Sequence, residues 1–445
     1  MFLSHPDKPF APRNVPFFYG WALIGFSTIG VLASIPGQTI GVGVFTDYLI
    51  EALHLSRVQL STAYALGTIT SSFLLPFAGV LLDRVGARRM VVYSALGLGA
   101  SLAAFSQVDR LAMVEVLGSA ALALAVATVG FLLIRFFGQG CLTIVSRVIL
   151  GKWFNHRRGL ATAISTTVIA LCFNGSPQVL NELVGMTGWR EAYLLLAGVV
   201  GVGMTLLGAV FYRDNPEECG LVMDGVKDPA WHEKMAARVA ETQRDLTRAE
   251  ALRTPAFWAF SLALSVQGLL ITAISFHVAS IGEEMGLSRD QAYAIFLPMA
   301  YFSIVTNLIF GWLSDRVRLK WLLFLEMGTM ALGVTGLMNL GSASGFNMFI
   351  AGFGISQGLF GLFVTIVWPR FFGRAHLGAI SGVNTSIMVF ASALGPVFFS
   401  AMRNVTGSYF EVIALTWAMP IALLVFGLFA DNPQETAPGN PASAG

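Results

Sequence analysis

Residues 79–89 read Gly79-Val-Leu-Leu-Asp83-Arg84-Val-Gly86-Ala-Arg88-Arg89. This segment interrupts a long apolar run with three arginines and one aspartate. A single charge in the hydrocarbon core of a bilayer costs several kcal/mol, so a cluster of charges must lie at a membrane surface. Arginine and lysine are enriched on the cytoplasmic side of membrane proteins. The segment therefore predicts a short cytoplasmic loop between two membrane-spanning helices.

The whole chain has the composition of a membrane protein. Hydrophobic residues make up 55% of its 445 residues and charged residues only 12%, whereas soluble domains carry about 25% charged residues. Recurring apolar runs of about 20 residues predict a polytopic helical membrane protein. The net charge of +2 says nothing about nucleic acid, but the sequence has no basic patch with interleaved aromatic residues, so we expect no nucleic-acid partner.

The sequence offers no catalytic or metal-binding motif. Cys141, Cys172 and Cys219 lack the spacing of a metal site or a disulfide framework. No phosphate-binding loop of the G-x-x-x-x-G-K-[ST] type is present, which excludes ATP-driven transport by that motif. We therefore expect no enzyme activity, no cofactor and no metal.

A second, weaker copy of the charged loop lies 232 residues after the first. It reads Gly311-Trp-Leu-Ser-Asp315-Arg316-Val-Arg318-Leu-Lys320. Arg318 stands where the first copy has Gly86, and glycine alone adopts some backbone conformations freely. We expect the first copy to matter more for function. The pattern G-x-x-x-D-R-x-G-x-R-R closely resembles the signature loop between helices 2 and 3 of the major facilitator superfamily of transporters.

The apolar runs divide into twelve predicted spans. They cover residues 18–48, 57–82, 88–107, 123–151, 158–185, 190–212, 255–283, 289–314, 319–340, 344–369, 375–403 and 407–430. Twenty of the 27 lysines and arginines fall on one side of these spans, which places both termini in the cytoplasm. The resemblance implies an all-α membrane protein with two pseudo-symmetric six-helix bundles in the cell (inner) membrane.

The predicted organisation has five parts. They are a cytoplasmic tail (1–17), an N-terminal bundle (18–212), a cytoplasmic linker (213–254), a C-terminal bundle (255–430) and a cytoplasmic tail (431–445). The repeat offset falls from 232 to 218 within the first half, which predicts an added outward-facing loop around Gln107–Gly118. The run Pro229–Arg253 is rich in helix formers and predicts a helical tether, with a regulatory surface as the alternative.

Local sequence also predicts where several helices begin. Ser56 is followed three residues later by Gln59, and its repeat partner Ser288 by Gln291, which is the pattern of a capping box. Thr247 with Glu250 gives the same pattern. Thr254-Pro255 predicts a helix with proline at its first position.

Three further segments narrow the resemblance. They are Phe18-Tyr-Gly-Trp21, Lys152-Trp-Phe-Asn-His-Arg157-Arg-Gly159 and Phe371-Phe-Gly373-Arg374-Ala-His376. These segments resemble sequence segments of the monocarboxylate transporters and the oxalate/formate antiporters. The resemblance implies a secondary active transporter of a small hydrophilic solute, an organic anion such as a carboxylate, that works by alternating access. It also implies a monomer in the lipid bilayer, with a small-molecule substrate and a coupling proton as partners.

One departure from those families leaves the substrate class open. Their anion carriers typically hold an arginine in helix 8, and the oxalate carriers hold a lysine in helix 11. Here residues 289–314 contain no basic residue beyond Arg289, and residues 379–402 contain none. The cation that binds the anion in those families is therefore missing from its usual places.

Candidate substrate-binding residues follow from the resemblance, which implies that spans 1, 4, 7 and 10 line the cavity. Each of these spans carries one glutamine: Gln38, Gln139, Gln267 and Gln357. An amide offers both donors and acceptors to a polar solute; the alternative for each glutamine is a contact between helices. Arg135 lies one helical turn before Gln139 and is the candidate for the anion. Its alternative is a structural role on the first helix near Pro36-Gly37.

Other polar residues have predicted roles in coupling and gating. His277 in span 7 could titrate near neutral pH and couple protons, with an ordinary polar contact as the alternative. Glu326 in span 9 lies about 9 Å from the inner surface and is expected to pair with loop arginines. Asp83 is expected to cap the start of span 11. The predicted cytoplasmic gate consists of Gly79, Asp83, Arg84, Gly86, Arg88, Asp315 and Arg316.

Two other functions compete with anion transport. A multidrug or metabolite exporter would need an aromatic cavity and an acidic residue in the membrane; the 35 phenylalanines supply only the first clearly. A non-transporting sensor or assembly partner on the same fold would predict decay of the charged loop. Asp83 and the arginines of its loop are intact, which favours a transporter.

Overall fold

The structure is a computed structural model that describes residue 3 and residues 5–112, 119–231 and 244–435. The helices of the first half of the chain are α1 (Gly20–Leu32), α2 (Thr39–Leu53), α3 (Arg57–Val85), α4 (Ala87–Phe105), α5 (Val108–Leu111), α6 (Ala120–Ile134), α7 (Thr143–Trp153), α8 (Arg158–Thr187), α9 (Trp189–Gly198) and α10 (Thr205–Phe211). A π-helical segment, Arg135–Leu142, joins α6 to α7, and another, Val199–Met204, joins α9 to α10.

The second half is also helical throughout its described length. Its helices are α11 (Arg248–Ala251), α12 (Pro255–Glu284), α13 (Arg289–Ala294), α14 (Phe296–Ser314), α15 (Leu319–Met338), α16 (Ala343–Phe372), α17 (Leu377–Thr406) and α18 (Phe410–Phe426). A 3-10 turn, Gly427–Phe429, follows α18.

Each of the twelve predicted spans is occupied by helix. Within the described residues, ten helices or nearly continuous helical runs are long and apolar enough to cross a membrane, and the bent pair Arg158–Phe173 and Gly175–Thr187 makes an eleventh. The remaining predicted span, 88–107, coincides with α4, which has 19 residues. Arg88 and Arg89 occupy the first turn of α4, and the residues of α4 that follow them carry no charge.

The chain folds as two compact units. One consists of Met1–Trp153, Val168–Gly225 and Ser381–Ser386; the other consists of Phe154–Thr167, Val226–Ile380 and Ile387–Gly445. The first unit is therefore built mainly from α1–α10 and the second mainly from α11–α18. The limits of the two predicted bundles, 18–212 and 255–430, stay a prediction.

The predicted helix starts are confirmed. Ser56, Thr247 and Ser288 each accept a hydrogen bond from the backbone N–H three residues later, and the Gln or Glu at that position accepts one from the N-cap N–H. Thr254 caps α12, with Pro255 as the first helical residue. These bonds satisfy N–H groups that the first turn of any helix leaves unpaired.

The first span is broken where the sequence places Pro36-Gly37. A 3-10 turn, Ile35–Gly37, ends α1, and Gln38 is extended (φ −91°, ψ 158°) before α2 begins. Proline lacks the N–H that a helix interior requires, which explains the end of α1 at this point. The break leaves backbone carbonyl groups inside the membrane-spanning region, and such groups need partners.

Helices α15 and α16 pack closely through small residues. A Cβ atom added at Gly336 would collide with the backbone of Phe349, and one added at Gly352 would collide with the backbone of Gly333. Small residues let two helix backbones approach within a membrane and gain dispersion contacts. In the conformation described here, α15 and α16 are thus closely packed within the second unit.

Residues near the end of the linker form hydrogen bonds with the turn between α16 and α17. Leu246 N–H donates to the Phe372 carbonyl (2.9 Å), and one Asp245 carboxylate oxygen accepts from the N–H groups of Arg374 (2.6 Å) and Ala375 (3.1 Å). Gln434 of the C-terminal tail donates to the Phe371 carbonyl (2.8 Å). Residues 244–247 are thus held by specific contacts rather than being a loose connection.

Three predictions lie partly outside the described residues. They concern the added loop around Gln107–Gly118, the helical tether at Pro229–Arg253 and the C-terminal tail, of which residues 113–118, 232–243 and 436–445 are not described. In the described part of the added loop, α5 carries Asp109, which pairs with Arg190 through two hydrogen bonds of 2.7 and 2.5 Å. The hydrogen bonds from Arg190 hold the pKa of Asp109 below its ordinary value.

Candidate functional site

Arg135 lies in the π-helical segment of the first unit, against the break in the first span. Its side chain is 1% exposed. It donates to the carbonyl of Gly37 (3.1 Å) and lies 3.4 Å from Thr39 Oγ1. These contacts are the ones that the structural alternative expects, because they satisfy a carbonyl that the helix break leaves free.

The partners of Arg135 do not neutralise its charge. Its guanidinium lies 5.2 Å from the centre of the Tyr64 ring, and its Nε is buried without a hydrogen-bond partner. Across the described residues, no aspartate or glutamate forms an ion pair with Arg135. An arginine stays charged at any accessible pH. Arg135 is therefore a buried cation with capacity for an anion.

Two predicted glutamines lie at the same helix break. Gln38 donates to Ser34 Oγ (2.9 Å) and Thr143 Oγ1 (3.3 Å), so its amide links the break to α7. Gln139 follows Arg135 in the π-helical segment, and its side-chain carbonyl oxygen is buried without a partner. The structure therefore brings Gln38, Gln139 and Arg135 to one place in the first unit. Two buried atoms there have no hydrogen-bond partner: the side-chain oxygen of Gln139, which can accept, and Nε of Arg135, which can donate.

The other two predicted glutamines meet in the second unit. Gln267 on α12 is fully buried and donates to the side-chain oxygen of Gln357 on α16 (2.9 Å). Ser356 donates to the side-chain oxygen of Gln267 (2.8 Å). The inner members of this chain satisfy one another, as interhelical hydrogen bonds do in membranes. Gln357 is half-buried, whereas Gln267 and Ser356 are fully buried.

His277 has partners on both ring nitrogens. Nε2 lies 3.0 Å from the Pro396 carbonyl and 3.2 Å from Ser400 Oγ, while Nδ1 lies 3.0 Å from the Tyr409 hydroxyl. A carbonyl can only accept, so Nε2 carries a hydrogen, and Nδ1 pairs with the tyrosine hydroxyl. This fully bonded ring matches the alternative of an ordinary polar contact; the coupling role of His277 stays a prediction.

The second copy of the charged loop forms a buried carboxylate site. Asp315 accepts from the backbone N–H groups of Gly159 (2.8 Å) and Leu160 (3.2 Å) at the start of α8. Arg370 donates to the same carboxylate at 3.2 Å, and the two side chains are 6% and 7% exposed. Asp315 thus caps the N-terminus of α8 and also pairs with Arg370. Both interactions stabilise a carboxylate.

Glycines of both loop copies allow a second helix to approach. A Cβ atom added at Gly311 would lie 3.0 Å from the Gly159 carbonyl oxygen, next to the helix start that Asp315 caps. In the first unit, a Cβ atom added at Gly382 would lie 3.2 Å from the Cα of Gly79. The Gly79 backbone therefore lies close to Gly382 of α17 within the first unit. The partner of Asp83 stays a prediction.

Gly86 and Arg88 have structural roles that the sequence only partly indicates. Gly86 has φ +83° and ψ 160°, a conformation that is essentially restricted to glycine, whereas Arg318 in the second copy has φ −66°. Arg88 is buried and donates to the carbonyls of Ala209 (2.8 Å) and His5 (2.9 Å). Arg88 thus ties the N-terminal tail to the end of α10.

The remaining predicted gate residues lie nearer the surface. Asp83 is half-buried and Arg84 is exposed. Arg316 donates to the Trp312 carbonyl (2.7 Å) and stacks on the Trp312 ring at 3.8 Å from its centre. The gating role of all seven residues stays a prediction.

Sequence reasoning missed several residues of these clusters. Arg370 was counted only as a cytoplasmic charge, although the repeat offset of 218 makes it the counterpart of Lys152. Asn307 on α14 accepts from Thr166 (2.8 Å). Asn384 on α17 is 1% exposed, and both atoms of its amide lack partners. Polar residues inside apolar spans are rare, and that rarity was the signal for both asparagines.

The prediction for Glu326 is wrong. Sequence distance placed it near loop arginines, but its side chain is fully buried and neither carboxylate oxygen has a hydrogen-bond partner in the described structure. Counting residues gives depth in the membrane, whereas the direction of the side chain depends on which face of α15 packs inward.

A cavity of about 370 Å³ lies in the first unit, beside the break in the first span. Its lining includes Pro36, Cys172, Ser176 and Val200 and is almost entirely apolar. Arg135 and the four predicted glutamines are not among its lining residues. The cavity is therefore separate from the polar clusters.

Residues 22–396 match the family model of the Major Facilitator Superfamily. The chain belongs to this superfamily. Its structure superposes on the proton:xylose symporter XylE with a TM-score of 0.67 at 14% sequence identity, covering 94% of this chain and 98% of that one. The predicted fold is thereby confirmed. Members of the superfamily are transporters, so the prediction that the protein is not an enzyme is confirmed as well.

Sequence relatives of this major facilitator transporter are distant. It is 24% identical over 280 residues to the uncharacterized MFS-type transporter YhjX of Escherichia coli, covering 62% of this chain and 61% of that relative. It is 25% identical to the probable sulfoacetate transporter SauU of Cupriavidus necator, covering 86% and 89%. It is 22% identical to human monocarboxylate transporter 1, covering 92% and 84%. The resemblance to monocarboxylate transporters is thus confirmed at low identity.

Proposed function

We propose that this protein is a secondary active transporter of small organic anions, with carboxylates as the substrate class, and that it works by alternating access. The observation that carries the proposal is Arg135, a buried cation without a carboxylate partner in the described structure. The names of two relatives, a probable sulfoacetate transporter and a monocarboxylate transporter, point to the same class of solute.

The charge of Arg135 is the reason to propose an anion rather than a neutral solute as the substrate. An uncompensated charge in a low-dielectric region is costly, and a bound carboxylate would reduce that cost through charge-assisted hydrogen bonds. The free Nε of Arg135 supplies a donor, and Gln139 in the same segment adds polar contacts to a hydroxyl or carbonyl group of the solute. Arginine thus serves here the purpose that a basic residue in helix 8 or 11 serves in the related anion carriers.

The remaining polar residues fit other steps of transport. Gln38 holds the helix break beside Arg135, and Gln267 orients Gln357, which we propose as a solute contact in the second unit. The capping of α8 by Asp315 is proposed as one closed contact of the cytoplasmic gate. We place the transporter in the cell (inner) membrane as a monomer, with both termini in the cytoplasm.

Transport by purified protein in liposomes tests the proposal directly. Labelled L-lactate and labelled sulfoacetate are offered to proteoliposomes with and without a pH gradient, and protein-free liposomes give the background. We expect saturable uptake of at least one of the two anions. Uptake of a lipophilic cation such as ethidium, without uptake of either anion, would instead identify a drug exporter.

Variants of Arg135 test the anion-binding role. One charge-assisted hydrogen bond contributes about 1.5–3 kcal/mol, so Arg135→Gln should weaken substrate binding by roughly 10- to 150-fold. Arg57→Gln is the matched control, because Arg57 and its ion-pair partner Asp47 are both exposed. Unchanged affinity together with lower thermal stability in Arg135→Gln would show that Arg135 is structural and would remove the support for an anion.

A further inference from the structure

Glu326 is an acidic residue in the packed interior of the second unit. It lies seven residues after Leu319, the first residue of α15, and so about 10 Å along the helix. The buried side of α15 includes Leu322, Leu323 and Met330 on either side of it. Its side chain is fully buried, and both carboxyl oxygens lack hydrogen-bond partners within the described residues.

The helices that pack against α15 supply no free cation. They are α12, α16, α18 and the turn Gly427–Phe429. The charged or titratable residues of these elements are His277, Glu283, Glu284, Arg370 and Glu411. Helix α15 itself adds Lys320. Lys320 donates to Asp431 (2.7 Å) and to the Leu428 carbonyl (2.7 Å), and Arg370 binds Asp315. The other four groups are three acids and His277, whose two ring nitrogens both have hydrogen-bond partners.

A carboxyl group in these surroundings is more stable with its proton. An isolated carboxylate in an apolar interior loses its hydration and gains nothing in return, and such a group is neutral instead. A neutral carboxylic acid without partners still has a cost, though a smaller one. Retaining an acid here, where leucine or methionine would pack without that cost, indicates a use for its proton.

We propose that Glu326 is a proton-binding site of the transport cycle. It holds a proton in the conformation described here, and it releases that proton to water in a conformation that hydrates the α15–α16 contact. The release breaks the O–H bond of the carboxylic acid and leaves a carboxylate, so one proton moves for each such conversion. The coupling role rests on the proposed transport function, whereas the protonated state in this conformation does not.

Infrared spectroscopy of the purified transporter tests the protonated state without any substrate. We expect the wild-type spectrum at neutral pH to contain the carbonyl-stretching band of a protonated carboxylic acid that shifts in D2O and is absent from Glu326→Gln. Glu326→Asp should keep such a band, which shows that the site tolerates substitution. Glu284→Gln is the control, because Glu284 accepts hydrogen bonds from Ser408 (2.6 Å) and the N–H of Tyr409 (2.8 Å). Identical spectra for wild type and Glu326→Gln would overturn the proposal.

Transport measurements test the coupling role. Labelled L-lactate and sulfoacetate are again the probes, and uptake driven by a pH gradient is compared with exchange at equal pH. We expect gradient-driven uptake by Glu326→Gln to fall to the level seen without a gradient, while Glu326→Asp and Glu284→Gln respond to the gradient. An undiminished gradient response in Glu326→Gln would overturn the coupling role. If wild type transports neither anion, the proposed function fails, and the infrared band still decides whether Glu326 binds a proton.

Discussion

The contact of Asp315 with the start of α8 can be tested by replacing its carboxylate with an amide. Gly159 and Leu160 belong to the first turn of α8, where the helix offers no acceptor for a backbone N–H. In the structure their N–H groups donate to Asp315 instead, at 2.8 and 3.2 Å. Asp315→Asn keeps one oxygen as an acceptor, replaces the other with a donor and removes the charge that Arg370 faces.

The expected effect follows from these contacts. A hydrogen bond to a charged group contributes about 1.5–3 kcal/mol, and each 1.4 kcal/mol changes an equilibrium tenfold. The amides of Gly159 and Leu160 should therefore exchange with solvent deuterium about 10- to 150-fold faster in Asp315→Asn. Hydrogen–deuterium exchange with mass spectrometry on a peptide that covers the start of α8 measures this rate.

The linker offers a matched control. Asp245 accepts from the N–H groups of Arg374 and Ala375 just before α17, much as Asp315 accepts from two N–H groups in the first turn of α8, but Asp245 is exposed. Asp245→Asn should speed exchange at Arg374 and Ala375 and leave the start of α8 unchanged. Equal exchange at Gly159 and Leu160 in wild type and Asp315→Asn would refute the idea that this carboxylate holds the start of α8.

Three further predictions follow from single sites. Gly86→Ala should lower the free energy of unfolding by about 1–3 kcal/mol, because the φ of Gly86 is +83°. Arg318→Ala should change it little, because the φ of Arg318 is −66°. Thermal unfolding in detergent compares the two variants. Asp109→Asn should lower the melting temperature at neutral pH. The difference should shrink as the pH falls below about 4, the ordinary pKa of an aspartate, and vanish once the pH is below the lowered pKa of Asp109 in the folded protein, because a depressed pKa stabilises the fold only while the carboxyl is ionised. A difference that persists in stronger acid would contradict this. Gln267→Ala and Gln357→Ala should each weaken solute binding, and the double variant should lose less than the sum because the two side chains share a hydrogen bond; strictly additive losses would show that the pair does not act together.

Features that depend on neighbouring residues were predictable from the sequence. The capping boxes at Ser56 and Ser288 involve positions three residues apart, and the break at Pro36 follows from the missing N–H of proline. The family and the fold were predictable for a different reason. Two copies of a charged loop at a constant offset are a signal that chance rarely produces.

Features that depend on helix faces were not predictable. The depth of Glu326 was counted from the nearest loop, but its partners depend on the rotation of α15, which no local pattern reveals. The roles of Asp245 and Arg370 likewise depend on contacts between segments that are far apart in sequence. The π-helical segment at Arg135 was missed because its hydrogen-bond pattern has no compositional signal.

That π-helical segment has a consequence for comparing this transporter with its homologues. A π-helical turn accommodates one more residue than an α-helical turn, and each residue of an α-helix turns the chain by about 100°. A homologue that lacks one residue within 135–142 could form a continuous α-helix there with little rotation of the flanking segments, because the wider turn absorbs the extra residue. A one-residue gap in an alignment at this position would therefore keep the same helix faces on both sides of it, whereas a one-residue gap in an α-helical part of the same span would rotate one side by about 100°.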